Sequence, residues 1–449
     1  MKINKYSELG YIRALFEVPF KRPVEQVGSI ARHSDGRLYV AFTATVIPWT
    51  GPEYSRNSIV VVRLDTTDSP DPDYGTAGFA QVSFDKLPEF TIGAYILAME
   101  LDAQGKVTVL VRDMAGAFMA GLARFKPDGQ LDETFGKGGT IVHRLNISPG
   151  HTDAAYREPS DARQRGAAGQ LTSLASGALI YASTTAIFPN PGFGFMARFR
   201  PDGTLDTSFG SNGIVQVAPA GSEGLSVQLW SVTELSDGRI VACGHFFSER
   251  DEVQPKGLLA RYTADGIVDP TFGKDGFVLY DPPQDYPADA VFGFMCQSAA
   301  EGPDLSLVCV FTLVLRDQQS PRGTVVAHLD KNGVDVLPFN KGKPVLFSVI
   351  GHSVDHFHRV VLQHHSETAF KIVVAGRSSI MSDGPGQSEF LMARFNADGT
   401  RDHSFAANGW FNKQFAPGIN SLSALTLEPR AIIAAGVNGD KSVVMLVNG

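Results

Sequence analysis

The sequence predicts an all-β fold, and three observations carry that expectation. A phrase of about twenty residues recurs six times along the 449-residue chain, at intervals of roughly 60 to 75 residues. Between its copies lie paired apolar segments that alternate with period two around an Asp-Gly turn, the strongest short-range hairpin signal. Helical periodicity of comparable length is absent.

The phrase reads GLARFKPDGQLDETFGKGGTIV from Gly121, FMARFRPDGTLDTSFGSNGIV from Phe195, LLARYTADGIVDPTFGKDGFV from Leu258 and LMARFNADGTRDHSFAANGWF from Leu391. Degraded copies are VVVRLDTTDSPDPDYGTAGFA from Val60 and VVAHLDKNGVDVLPFNKGKPV from Val325. The intervening hairpins include VGSIARHSDGRLYVAFTA from Val27 and WSVTELSDGRIVACG from Trp230. Each unit therefore supplies four short strands: two in the hairpin, a third at the Ala-Arg-Phe step and a fourth after Phe-Gly-x-x-Gly.

The motif A-R-[FY]-x-x-D-G-x-x-D-x-[ST]-F-G-x-x-G resembles the delta-60 repeat family, bacterial repeats similar to those of β-propellers. The resemblance spans nearly the whole chain and implies a repeat architecture without implying an activity. With about 64 residues per unit, 449 residues accommodate seven units in a single domain, residues 1–449. The expected fold is a single seven-bladed β-propeller of four-stranded antiparallel blades.

The two termini make the seventh unit. SLSALTLEPRAIIAAG and KSVVMLVNG at the C-terminus supply a hairpin and a third strand. The segment YSELGYIRALFE from Tyr6 supplies the missing fourth. Tyr11–Glu17 is predicted to pair with Ser442–Val447, closing the ring and removing an exposed edge.

Composition narrows the function classes. Hydrophobic residues make up 43% and charged residues 19%, enough apolar content for a packed core. The formal net charge is −8 with no basic run, which argues against nucleic acid as a partner. No apolar stretch approaches a transmembrane length, so membrane insertion is not expected. The N-terminus lacks a secretory pattern, so the chain is expected in the cytoplasm or exported by another route. Cys243, Cys296 and Cys309 are sparse and read as small buried hydrophobes.

Two polar residues travel together through the units: Arg63, Arg124, Arg198, Arg261 and Arg394 with Asp71, Asp132, Asp206, Asp269 and Asp402. In the unit from Val325 both are replaced, by His328 and Val336. Removing one partner of a buried ion pair is costly, so paired loss predicts a mutual ion pair holding the turn between third and fourth strands. Phe135, Phe209, Phe272 and Phe405 read as apolar pegs in the same turn.

Functional variation is then expected on the opposite side, in the connections between units and between second and third strands. Four groups stand out there. The long connection from Asn146 to Gln170 carries His151, Asp153, Tyr156 and Arg157. The segment from Ser348 carries His352, Asp355, His356 and His358, with His356 and His358 on one side of an extended chain, a set that suits a divalent metal. Trp49, Glu53 and Tyr54 share a loop suited to stacking on a sugar or peptide. Phe188, Phe193, Phe246, Phe247, Tyr286 and Phe292 add aromatics. We find no nucleophile elbow, P-loop, HExxH or dinucleotide fingerprint, and the Asp-Gly turns lack calcium-loop spacing.

The sequence therefore favours a non-enzymatic binding or scaffold propeller engaging a protein, peptide or glycan through Trp49, Tyr54, His151, Tyr156, Arg157, Phe247, Tyr286 and Phe292. No resident cofactor is expected. The alternative is an enzyme at the channel mouth, a metal-assisted hydrolase or lyase built around the histidines.

Overall fold

The second and third strands of each unit are near-continuous apolar runs, such as IVACG and LVCVF, as expected of strands covered on both faces. A computed structural model of the chain bears this out. It describes residues 2–4, 12–17, 24–46, 56–67, 69–84, 94–113, 116–145, 147, 169–184, 192–221, 225–247, 254–284, 286, 290–315, 323–348, 354–366, 369–379, 388–406, 408–414, 420–428, 431–438 and 441–448. Strands dominate them, arranged in seven antiparallel sheets. Among the described residues no helix is long and apolar enough to cross a membrane.

The chain opens on β1 (Lys2–Asn4) and β2 (Ile12–Glu17), whose sheet is completed by the C-terminal strands. Two compact units follow from the contact pattern. The first, chiefly Val18–Phe188 and Phe193–Gln216, holds three four-stranded sheets. Sheet one is β3 (Val24–Arg32), β4 (Leu38–Val46), β5 (Arg56–Leu64) and β6 (Phe79–Ser83). Sheet two is β7 (Ala94–Leu101), β8 (Val107–Asp113), β9 (Gly116–Phe125) and β10 (Thr140–Arg144). Sheet three is β11 (Gly169–Ser173), β12 (Leu179–Thr184), β13 (Gly194–Phe199) and β14 (Ile214–Val217).

The second unit, Lys2–Glu17, Pro189–Gly192 and Val217–Gly449, holds four sheets. Sheet four is β15 (Ser226–Glu234), β16 (Ile240–Phe247), β17 (Lys256–Tyr262) and β18 (Phe277–Tyr280). Sheet five is β19 (Val291–Glu301), β20 (Leu307–Leu315), β21 (Thr324–Leu329) and β22 (Val345–Phe347). Sheet six is β23 (Val354–His364), β24 (Phe370–Ser379), β25 (Glu389–Asn396) and β26 (Trp410–Lys413). Sheet seven joins β27 (Asn420–Glu428), β28 (Ala431–Asn438) and β29 (Lys441–Asn448) to β2, with β1 beyond it.

The terminal segments pair as expected from the sequence. Ile12 faces Val447, Leu15 faces Met445 and Glu17 faces Val443. The extra strand β1 was not foreseen; it pairs Ile3 with Phe16.

Within each unit the core lies between successive sheets. Tyr39, Val61 and Tyr74 of sheet one pack with Met99, Val109 and Phe125 of sheet two. Val310, Phe339 and Phe347 of sheet five pack with Phe357, Val374 and Phe395 of sheet six. The first strands of neighbouring sheets touch, β3 on β7 and β7 on β11 in one unit, β15 on β19, β19 on β23 and β23 on β27 in the other. Fourth strands such as β10 and β18 are only partly covered.

Candidate ligand-binding site

The repeated polar residues come first, because their chemistry is already committed. Arg63, Arg198, Arg261 and Arg394 each point Nε at Oδ2 of their partner aspartate, at 2.8 to 2.9 Å. The predicted pair is thus present in four sheets. Sheet two differs: Arg124 Nε donates to Thr108 Oγ1 at 3.0 Å, while Lys106 Nζ takes Asp132 Oδ2 at 2.7 Å. In sheet five Val336 N–H donates to the His328 carbonyl, as the aspartate N–H does to the arginine carbonyl elsewhere, so these two positions are equivalent.

Each arginine also lies over the ring of its Phe-Gly turn. The guanidinium carbon stands 4.3 to 4.9 Å from the centroid of Tyr74, Phe135, Phe209, Phe272 or Phe405. In sheet five His328 meets Phe339 edge to face at 5.8 Å instead. The same turn reaches the next sheet. Arg63 Nη1 donates to the Pro127 carbonyl, Arg124 Nη1 to Pro201 and Arg261 Nη1 to Lys331. Gly75 N–H donates to the Asp128 carbonyl at 2.7 Å, and Gly273 N–H to Asn332 at 2.8 Å. The rings sit on the glycine of the following Asp-Gly turn: a Cβ on Gly203 would come within 2.5 Å of the Phe135 ring. These residues are fasteners between sheets as well as within them.

Sequence reasoning did not see a second device, a bulge in the first strand. One extra residue interrupts the pairing to the second strand in six sheets. In sheets two, four, five and six it is Leu97, Trp230, Gln297 and His358, and β19 carries an earlier one at Phe292. A bulge re-aims its side chain and is typical beside functional sites. In sheets four, six and seven its trace in the sequence is a glycine opposite. A Cβ on Gly376 would lie 1.8 Å from the His356 carbonyl, and one on Gly244 would lie 2.0 Å from that of Gln228.

Several candidates lie outside the described residues: Trp49, Glu53, Tyr54, His151, Asp153, Tyr156, Arg157, Phe188 and His352. The others fall into two groups around bulges and one aromatic edge. In sheet four Trp230 Nε1 donates to His245 Nδ1 at 3.1 Å, and the His245 ring stacks on Phe247 at 4.5 Å. Burial pushes the His245 imidazole down to about 3, so the ring is neutral and able to accept that hydrogen bond. Phe246 is core. In sheet five Phe292 is 57% exposed, whereas Tyr286 is half-buried against the core of sheets four and five. Phe193 is half-buried beside the core of sheets two and three.

Sheet six separates the proposed metal ligands. Asp355 is fully buried, paired across to Ser378, whose hydroxyl donates to its carboxylate; Thr324 Oγ1 donates to its carbonyl. That side of the sheet packs on sheet five, through Phe357 and Val374. His356 pairs with Arg377, and Arg359 with Ala375, on the opposite side. The His356 and His358 rings stack with centroids 6.1 Å apart. Burial, then the nearby Arg377 and Arg359, hold the His358 imidazole down near 3. Neutral imidazole is the metal-ligating form, but two flanking guanidiniums oppose a cation. Among the described residues no three His, Cys, Asp or Glu side chains gather as a metal would require.

The three cysteines do converge. Cys243, Cys296 and Cys309, from β16, β19 and β20, are buried in one core cluster. Burial raises the Cys296 and Cys309 thiols, leaving them protonated and unreactive.

Comparison with known proteins comes next. A family model described as "Domain of unknown function (DUF5122) beta-propeller" matches residues 114–135, 190–209, 235–272 and 371–405. No curated protein matches the sequence. Among solved structures, the chain is similar to a protein of unknown function from Dyadobacter fermentans, with 12% identity, TM-score 0.41 and coverage of 80% of this chain and 93% of that one. An α-L-arabinofuranosidase from Fusarium graminearum shares 11% identity, TM-score 0.43, covering 78% and 91%. The β-propeller domain of the trilobed protease from Pyrococcus furiosus shares 7%, TM-score 0.43, covering 94% of each. The matched stretches contain the Arg-Asp-Phe turns of four units, and over those stretches the chain is similar to the DUF5122 β-propeller family.

Proposed function

We propose that this chain is a binding propeller that engages a protein, peptide or glycan on the side where its units differ. One observation supports the reading above the others. The residues that repeat are committed to fastening, while the bulged ends of the first strands carry unrepeated aromatic and cationic side chains. Trp230, His245 and Phe247 form a stacked set in sheet four. Phe292 offers an exposed ring in sheet five. His356, His358, Arg359 and Arg377 occupy the corresponding place in sheet six. Rigid aromatic surfaces beside hydrogen-bonding groups suit sugars and peptide side chains at low entropic cost.

The test is a glycan and peptide array probed with the purified protein, with captured ligands analysed for chemical change. A discrete set of ligands, recovered intact and held at least about tenfold more weakly by Phe292→Ser, is the expected result. Ligand recovered cleaved or rearranged would overturn the binding reading.

A further inference from the structure

Among the described side chains, the basic cluster of sheet six has no counterpart in the other sheets. His356, Arg359 and Arg377 share one side of the sheet by register, and the bulged His358 stacks on His356 between the two guanidiniums. Arg359 donates Nη1 to the His358 carbonyl at 3.0 Å. Neither Arg359 nor Arg377 meets a carboxylate among the described residues, and for Arg377 no hydrogen bond to them is made. Four of the five repeat arginines have an anion, Arg63, Arg198, Arg261 and Arg394 holding aspartates, while Arg124 holds the Thr108 hydroxyl. Of the described acids on β23 and β25, Asp355 accepts from Ser378 and Glu389 from Asn412.

The contrast matters energetically. Both guanidiniums are partly open to solvent yet enclosed enough that burial depresses them, and no acidic group offsets the effect. An arginine cannot shed its proton, so two partly desolvated cations that both act on the His358 imidazole favour an anion nearby. The neutral imidazoles add hydrogen-bonding capacity without adding repulsion. The chain as a whole is acidic, at −8, so this positive recess is a local arrangement and not a reflection of overall charge.

We propose that Arg359 and Arg377, with His356 and His358 beside them, form an oxyanion site that anchors the ligand through a carboxylate or phosphate group. The proposal rests on the binding reading for its biological setting, and the physical claim stands by itself. A guanidinium presents paired N–H donors in the geometry an oxyanion accepts, and a partly desolvated charge-assisted bond is strong.

Sodium glucuronate, sodium phosphate and glucose, each titrated into the full chain by calorimetry and followed by thermal melting, test it. At least one oxyanion is expected to bind at least about tenfold more tightly than glucose, to raise the melting temperature with concentration, and to weaken in added salt. Arg377→Gln is expected to lose about tenfold in that affinity and Arg377→Lys less. Glucuronate preference assigns a carboxylate, and phosphate preference a phosphate. Equal weak binding of all three, or full oxyanion affinity in Arg377→Gln, would overturn the proposal. Should Arg377→Gln not fold, the wild-type titration and Arg377→Lys still decide. An array ligand lost in Phe292→Ser but indifferent to Arg377 overturns the anchor alone. Turnover of a ligand held through Arg377 overturns only the binding reading.

Discussion

Arg261 shows how much one side chain does. It is 1% exposed, pairs with Asp269 at 2.8 Å, covers the Phe272 ring and donates to a carbonyl of the next sheet. Arg239, from the preceding Asp-Gly turn, grips the same carboxylate at 2.9 Å. Burial alone would raise Asp269, but hydrogen bonds from Thr271 and Arg239 and the Arg261 charge hold it well below the usual carboxylate range. Replacing Arg261 by Gln removes the more buried of the two cations on that carboxylate together with its ring and carbonyl contacts, and equilibrium denaturation should show a loss of about 3 kcal/mol. Arg261→His with Asp269→Val, the combination of sheet five, should lose less than the two single changes summed. The pairing was legible because the two residue types come and go together along the chain. The exchange in sheet two was not, because Lys106 sits on another hairpin and Arg124 still matches the motif. Contacts to the following sheet were also hidden, since identical turns do not reveal which neighbour they touch.

Two further residue-level tests follow from burial. Glu100 on β7 is half-buried; desolvation outweighs the hydrogen bonds from Ser173 and raises its carboxyl to about 7. A raised folded-state value means the native protein holds the proton more tightly than the unfolded chain. This contribution is complete below about 4.3 and is lost as pH rises through about 7. Glu100→Gln should therefore gain stability relative to wild type at pH 8 and little at pH 4, read from melting curves at both. The thiol cluster gives the other test. Cys243, Cys296 and Cys309 should resist a thiol reagent in the native protein and react fully once it is unfolded; rapid native labelling would contradict their burial.

Among the elements, the first strands carry most of what the sequence concealed. A bulge leaves the apolar alternation nearly intact, and only in sheets four, six and seven does a glycine opposite mark it. Gly376→Ala would drive a methyl group into the His356 carbonyl, so separation of β23 from β24 and a loss of several kcal/mol in denaturation are expected. It would also disturb the basic cluster. The terminal strands were legible by a different logic: the last unit lacks a fourth strand and the first residues fit one. Deleting residues 2–17 exposes the edge of β29 and removes Leu15 and Phe16 from sheet seven. Such a protein should melt lower and aggregate sooner, whereas unchanged melting would contradict a structural role for β2.

For the molecule as a whole, repetition and function pull apart. Selection for one turn in many sheets leaves a long phrase that is easy to read, and it identifies fasteners. The basic site was only half visible. His356 and His358 drew attention as a histidine pair, but the reading joined them to Asp355, which the strand pleat puts on the other side. Arg359 and Arg377 were overlooked because they belong to no motif and lie eighteen positions apart. Their meeting depends on pairing register, which the sequence specifies only through the hydrophobic pattern.

The central claim is that fastening and ligand binding occupy different residues. Its most direct test is a side-by-side comparison of Arg261→Gln and Phe292→Ser, with melting temperature and array profile measured on each protein. The account expects Arg261→Gln to melt lower while keeping the wild-type ligand profile below its melting point. It expects Phe292→Ser to melt as wild type and lose the profile. A Phe292→Ser protein with the full profile, or a folded Arg261→Gln protein without it, would contradict the account.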